Sequence, residues 1–288
     1  MNEKVLILGA KGMLGQELVK IFSKNDFDVV AWDKAELDLS TNNFSENIVA
    51  LKPAIIINAS GYNKVDMAET DDAEKKLAFV VNAEAPKILA ETAKSIGAIF
   101  VNYSTDFVFD GVKAGGYTET DTPNPLSVYG ETKYLGEKNV ESVGGEYYII
   151  RPARIFGRQG SGDGKKSFVQ IMLEKSDLPE VKVVSDERGS ITYAPDLAQF
   201  TFDLISHKAK PGIYHGANSG SCSWFEWAEE IFRLIGKSPK LIPISSSEFN
   251  NPAKRPVDST LVNTKTALQK PWGDALREFI ADYTANQK

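Results

Sequence analysis

The sequence predicts an α/β protein: a doubly wound parallel sheet, followed by a smaller α/β unit towards the C-terminal end. Three observations carry that expectation. Short, almost wholly apolar runs alternate with longer segments of helical periodicity across residues 1–153. Such runs suit the strands of a parallel sheet covered on both faces by helices. A glycine turn, "GAKGMLG" at residues 9–15, joins the first run to the first helical segment. After residue 153 the texture changes, and a polar glycine-rich loop, "GRQGSGDGKKS" at 157–167, opens a more irregular half.

The elements follow in order. "KVLIL" (4–8) reads as a buried strand, and residues 12–22 as a helix with Leu14, Leu18 and Ile21 near one face. "DVVAW" (28–32), "AIIINAS" (54–60), "AIFVNYST" (98–105) and "YYIIRPA" (147–153) read as the next four strands. Residues 72–97 are helical, with a bend expected at Pro86, and residues 127–142 form a further helix. In the second half, 181–186, 195–205, 212–217 and 223–236 carry the periodic segments, and Pro252, Pro256 and Pro271 punctuate the tail. The expected division is 1–153 and 154–288. A segment near 190–220 is expected to return to the first sheet.

Composition narrows the function classes. An apolar fraction of 42% and a charged fraction of 25% are those of a globular protein. A net charge of −6 gives no basic surface for nucleic acid. The single cysteine, Cys222, excludes an intrachain disulfide and fits a reducing cytosol. The first apolar run is too short for a membrane span or a secretion signal, so a cytoplasmic protein is expected. With His207 and His215 the sole histidines, no multi-histidine metal site is expected.

Gly9, Gly12 and Gly15 form a GxxGxxG pattern between a strand and a helix. The first glycine suits a tight turn, the second a close approach to a pyrophosphate, and the third close packing of the helix. The amino end of that helix, at Met13 and Leu14, then offers free N–H groups and a favourable dipole to phosphates. Asp33 ends the second strand, where an acid takes the adenosine ribose hydroxyls. Lys11 and Lys34 flank it and could neutralise a 2′-phosphate, so either NADH or NADPH fits. Asp38, with Leu39 beside it, either reaches the adenine or caps a loop. Ala59, Ser60 and Gly61 are small enough for the chain to run against a cofactor.

Ser104, Thr105 and Asp106 fall at the carboxyl end of the fourth strand, the edge at which open parallel sheets bind ligands. Tyr129 and Lys133 lie four residues apart on a helix and share a face. A phenol is a poor base but a usable acid at neutral pH. A nearby ammonium and an oxidised nicotinamide both stabilise phenolate and would lower its pKa. With Thr105 these groups could donate a proton to a carbonyl oxygen while hydride reaches its carbon.

GxxGxxG, "STDFVFDG" and YxxxK together resemble the extended short-chain dehydrogenase/reductases. "INASGYNKVDMAE", "NYSTDFVFDG", "PLSVYGETKYLGE", "RPARIFG" and "KRPVDSTL" narrow the resemblance to the dTDP-4-dehydrorhamnose reductases, nearly end to end. The resemblance implies a Rossmann domain plus a small nucleotide-sugar domain. It implies NAD(P)H reduction of the C4 keto group of a dTDP-4-keto-6-deoxy sugar, and an assembly that is sometimes a homodimer. It makes Thr105, Tyr129 and Lys133 catalytic, with Tyr129 the proton donor and Lys133 the ribose ligand that lowers the tyrosine pKa. Asp106, Phe107 and Arg154 fall at the sugar. Related dehydratases carry a glutamate where Phe107 stands, which argues against dehydration. Where the family has a tryptophan over the sugar this chain has Arg154, which suits a more acidic or differently hydroxylated sugar.

A nucleotide diphosphate needs cations, and Lys165, Lys166, Arg188 and Arg255 are candidates, each with a solvated surface role as the alternative. Arg151 suits an ion pair or a ligand role equally. Trp224, Phe225 and Trp227 read as helix core, and His215 as a core histidine. Two other functions fit the pattern: a reductase or epimerase acting on another nucleotide sugar, and a non-catalytic NAD(P)-binding regulatory subunit.

Overall fold

The computed structural model describes residues 2–41, 43–161, 166–249 and 251–285. Its first five strands stand where the apolar runs put them: β1 (Lys4–Leu8), β2 (Asp28–Trp32), β3 (Ile55–Asn58), β4 (Ile99–Tyr103) and β5 (Tyr147–Arg151). Among them run α1 (Met13–Lys24), α2 (Ser45–Leu51), the short α3 (Met67–Thr70), α4 (Asp72–Phe79), α5 (Ala85–Ile96) and α6 (Val128–Val143). The chain continues through β6 (Ile155–Phe156), α7 (Phe168–Glu174), β7 (Glu180–Val184), β8 (Arg188–Gly189), β9 (Thr192–Tyr193) and α8 (Ala194–Ser206). It closes with β10 (Gly212–His215), β11 (Cys222–Ser223), α9 (Trp224–Leu234), β12 (Lys240–Ile244), β13 (Asp258–Ser259) and α10 (Trp272–Ala285).

Six parallel strands form the main sheet in the order β10-β5-β4-β3-β1-β2. Alternate residues of its strands feed opposite faces. Val5, Ile7, Val101 and Ile150 pack with Leu14, Leu18 and Phe22 of α1 and Leu197 of α8. Leu6, Leu8, Ile56, Phe100 and Ile149 pack with Ile48 of α2, Leu89 of α5 and Val140 of α6. Burial on both faces is why the strands read as unbroken apolar runs. The outer strand β10 pairs with β5 in register from Gly212 on Tyr148 to His215 on Arg151. A separate core gathers Val169 and Met172 of α7, Val181 and Val183 of β7, Trp227 and Ile231 of α9, and Phe279 of α10.

The long helix expected over 72–97 is interrupted before Pro86 rather than bent at it. A five-residue π turn, Val80–Glu84, separates α4 from α5, and Pro86 falls in the first turn of α5. Proline has no N–H to give to the carbonyl four residues back, which is that of Asn82. That carbonyl faces Gly136 of α6, where a Cβ would lie 2.2 Å from it. The missing donor and the missing side chain let α6 approach the π turn closely.

Candidate active site

The glycine turn has the geometry expected of a phosphate cradle. Gly9 has φ +74°, and a Cβ there would lie 2.8 Å from the Ser60 backbone nitrogen. A Cβ at Gly15 would lie 2.0 Å from the Gly9 carbonyl oxygen, so α1 can start only with glycine there. Gly12 caps α1 without a side-chain bond, which leaves the first N–H groups, at Met13 and Leu14, uncovered. The Leu14 side chain itself is buried in the core, so only its backbone can serve a ligand.

Above this turn a cavity of about 330 Å3 is lined by Gly9, Gly12, Asp33, Lys34, Asp38, Leu39, Ala59, Ser60 and Gly61, among others. Its glycine floor and uncapped helix end fit a dinucleotide pyrophosphate, and Asp33 stands at its rim. The Asp33 carboxylate accepts from the backbone N–H of Lys11 at 2.9 Å and of Lys34 at 2.8 Å, tying the turn to the end of β2. Asp38 closes a local turn by accepting from Ser40 N–H at 2.9 Å, and Lys34 Nζ lies 3.9 Å from it. Lys34 thus puts a cation on the wall of this cavity, beside Asp33.

Three asparagines that the sequence reading passed over hold this edge. Buried Asn58 donates to Asn102 across β3 and β4 at 2.8 Å and accepts from Ser60 N–H at 3.2 Å. Asn82, in the π turn, accepts from Tyr62 N–H at 2.9 Å and donates to the Tyr62 carbonyl and the Thr132 hydroxyl, both at 3.1 Å. It thereby pins the 59–62 segment to α6. The available signal was polar amides inside otherwise apolar segments, since buried amides need fixed partners.

Thr105 follows β4, and Tyr129 and Lys133 stand on α6, which packs against residues 105–108. Ser127 caps α6 by accepting from Gly130 N–H at 3.2 Å. A Cβ at Gly130 would lie 2.3 Å from the Phe107 carbonyl oxygen, so glycine seats the first turn of α6 directly on residues 105–108. The Phe107 ring meets the Tyr129 ring edge-on at 5.7 Å. The Thr105 hydroxyl donates to Asp106 Oδ1 at 3.1 Å, accepts from Phe107 N–H at 3.2 Å and lies close enough to the Tyr129 phenol to influence it. Lys133 Nζ donates to the Tyr103 carbonyl at 3.0 Å, and a Cβ at Gly61 would lie 2.9 Å from that nitrogen.

The electrostatics differ from expectation. Burial pushes the Tyr129 phenol up to about 12; the Thr105 hydroxyl opposes this and the Asp106 charge adds to it. The lowering expected from Lys133 is absent. Burial instead brings Lys133 down to about 8, against the pull of Glu137. Burial disfavours the charged form of each group, so Tyr129 stays protonated across the neutral range while Lys133 keeps its proton only below about pH 8.

A second cavity, of about 620 Å3, opens beside Asp106, Phe107 and Arg154. Val65, Phe168, Met172, Val183 and Trp224 give it apolar walls, and Lys175, Lys182 and Arg255 supply cations. Trp224 packs against the second core, as expected, and adds a cavity face. It is only partly buried, lines this cavity and stacks at 4.0 Å under the Arg154 guanidinium, whereas Trp227 is core. The expected diphosphate cations divide. Arg255 is at the cavity, paired with Asp66 at 2.9 Å. Lys166 pairs with Glu174 at 2.5 Å and Arg188 with Glu226 at 2.7 Å, both away from the lining. Lys165 lies outside the described residues. Lys175 and Lys182, which the sequence reading did not single out, line the cavity and make no ion pair among the described residues.

The remaining candidates are structural. Arg151 makes a bidentate pair with Glu137 at 2.8 and 2.6 Å, both side chains 1% exposed, and lies over the Phe109 ring. His215 is buried and bonded through Nδ1 to the Val262 carbonyl; burial and the Arg151 charge bring it down to about 4. Among the described residues no helix is long and apolar enough to cross a membrane, and no group of three or more His, Cys, Asp or Glu could hold a metal ion.

Comparison with known proteins agrees with this architecture. A probable dTDP-4,6-dihydroxy-2-methyloxan-3-one 4-ketoreductase of Streptomyces antibioticus is 37% identical, covering 97% of this chain and 95% of its own length. A dTDP-4-dehydrorhamnose reductase of Burkholderia thailandensis is 35% identical, covering 96% and 95%. The crystal structure of dTDP-4-dehydrorhamnose reductase from Bacillus anthracis in complex with NADP superposes with a TM-score of 0.91 at 34% identity, covering 98% of this chain and 100% of that one. The model of the RmlD substrate binding domain family matches residues 3–285, and the chain belongs to that family.

Proposed function

We propose that this protein is an NADPH-dependent oxidoreductase that reduces the 4-keto group of dTDP-4-dehydrorhamnose to give dTDP-rhamnose. One observation carries the reading. Thr105, Tyr129 and Lys133 bridge two cavities, with Lys133 against Gly61 of the glycine-floored one and Thr105 next to Asp106 of the other. A proton donor at that junction can serve a reaction whose two reactants arrive from opposite sides.

When bound, NADPH would supply the hydride for C4. The chain supplies the rest. Tyr129 gives its phenolic proton to the C4 oxygen and is reprotonated from solvent, so one hydride and one proton reduce the ketone to the alcohol. Its high pKa keeps it protonated until a negative oxygen develops beside it. Thr105, turning its one hydroxyl proton from Asp106, donates to the same oxygen. Lys133 anchors the cofactor ribose from beneath Gly61. Gly9, Gly12, the N–H groups of Met13 and Leu14, and Asp33 hold the dinucleotide. Lys34, on the wall of the same cavity, would be the cation for a 2′-phosphate.

In the second cavity Lys175, Lys182 and Arg255 hold the diphosphate, and the apolar wall takes the base. The single cysteine and this soluble substrate set favour the cytoplasm as the site of action.

The test is consumption of NADPH by the purified protein with dTDP-4-dehydrorhamnose, compared with Tyr129→Phe. The variant is expected to bind NADPH as the wild type does and to lose roughly 10²–10⁴-fold in turnover, the usual worth of general acid catalysis. Near-normal turnover would refute the assignment. Normal cofactor binding with no reaction of the wild type would favour a binding subunit.

A further inference from the structure

Arg154 occupies a built slot in the wall of the substrate cavity. Its backbone has φ +45°, a left-handed conformation that a long side chain adopts at a cost and that recurs at functional sites. Its guanidinium carbon stacks 4.0 Å from the centre of the Trp224 ring. It also packs flat against Gly189, where a Cβ would lie 3.2 Å from Cζ and Nε. Nη1 donates to the Cys222 carbonyl at 2.9 Å. Nε and Nη2 have no hydrogen-bond partner among the described residues, and neither is sealed from solvent. An arginine carries five N–H donors in a fixed fork. Most of this fork is therefore free in a position that the backbone, the indole and Gly189 fix in advance.

The neighbour that decides its use is Asp106. It lines the same cavity, and its carboxylate feels the Arg154 charge as well as the hydroxyls of Thr105 and Ser259. Burial works against the charged form of each group and their opposite signs offset part of it, so this wall is not built around a charge for an anionic substituent. What it presents is a set of donors next to an acceptor. A hydroxyl is the group that can accept from one and donate to the other. Asp106 follows Thr105 directly, so that hydroxyl sits beside the reacting carbonyl.

We infer that Arg154 and Asp106 together read the C3 hydroxyl of the sugar, making Arg154 the residue that selects 4-keto sugars oxygenated at C3. The inference rests on the reductase reading above. It also narrows the expectation drawn from sequence, from a more acidic or differently hydroxylated sugar to a hydroxyl.

The test compares kcat/KM for dTDP-4-dehydrorhamnose and for its 3-deoxy analogue, in wild type and in Arg154→Met, which keeps bulk but no donors. A site built to bond a hydroxyl discriminates strongly against its absence, because its own polar groups are left unpaired. Wild type is expected to favour the hydroxylated sugar by roughly 10- to 100-fold. Arg154→Met should bring that ratio close to one, with most of the loss on the hydroxylated sugar. Arg154→Lys, which keeps the charge but not the fork, should restore only part of it. Equal rates of wild type on both sugars, or an unaltered ratio in Arg154→Met, would overturn the assignment and leave the reductase reading standing. Reduction of neither sugar by a wild type that binds NADPH would overturn both.

Discussion

Polar groups in the catalytic corner and in the substrate cavity are held in opposite ways. In the corner, Thr105, Tyr129 and Lys133 are buried or nearly so, and backbone contact sets their spacing: Gly130 rides on the Phe107 carbonyl and Gly136 on that of Asn82. In the cavity, Lys175 and Lys182 carry charge at the wall with no ion-pair partner among the described residues, and Ile171 and Phe249 are exposed apolar side chains. A reacting proton needs placement to a fraction of an ångström, whereas a diphosphate is held adequately by cations on flexible stems. The difference teaches that the chemistry of this scaffold is fixed by main chain and its substrate by side chains.

Three changes would break or sharpen that contrast. The largest effect is expected from Gly130→Ala, whose new Cβ meets main chain that cannot swing away. It should displace Tyr129 from Thr105 and lower kcat by about 100-fold, the scale of a one-ångström misplacement, with little change in the KM for the sugar. Steady-state kinetics checks this, and a normal kcat would show that the corner tolerates side-chain bulk.

An intermediate effect comes from pH. Lys133, brought down to about 8 by burial, loses its proton in the free enzyme above that pH. The value of kcat/KM should then fall about tenfold per pH unit on the alkaline side. Stability moves the other way. The folded state binds fewer protons than the unfolded state between about 8 and the ordinary lysine value of 10.5, so stability of the ligand-free protein rises across that window. A kcat/KM profile flat to pH 9.5 would show that Lys133 acts in its neutral form.

The smallest effect is expected from Lys182→Ala, which removes one partly solvated cation. The KM for the dTDP-sugar should rise about 3- to 10-fold with kcat nearly constant. A fall in kcat instead would place Lys182 among the groups that position the reacting sugar.

The same contrast decided what could be read from sequence. The strands were legible because both faces of the sheet are buried, so their runs are apolar without a break. The glycine turn, Thr105, Tyr129 and Lys133 were legible because local spacing on a strand end or a helix face fixes them. Lys175 and Lys182 were not, because an exposed lysine has the same local sequence whether it meets water or a diphosphate. Trp224 was half legible: it packs on the core beside Trp227, as its spacing suggests, but its contact with Arg154, 70 residues earlier, on the cavity wall has no local signal. The pKa directions of Tyr129 and Lys133 in the ligand-free protein were not legible, because they follow from burial, which spacing on a helix does not show.

The chain does not cut cleanly into exchangeable halves. A Cβ at Gly160 would lie 2.2 Å from the Lys11 carbonyl oxygen, and Gln16 of α1 donates to the Arg158 carbonyl at 2.8 Å, so the 157–160 segment is part of the floor under the glycine turn. Strand β10 completes the sheet, and α8 covers α1. A chimaera joined at residue 153 would carry off that floor, an outer strand and a covering helix along with the sugar-facing residues. To transplant specificity between relatives, the pieces to move are Arg154, Trp224, 168–189 and 240–259, leaving the stretch from 190 to 216 with its original partner.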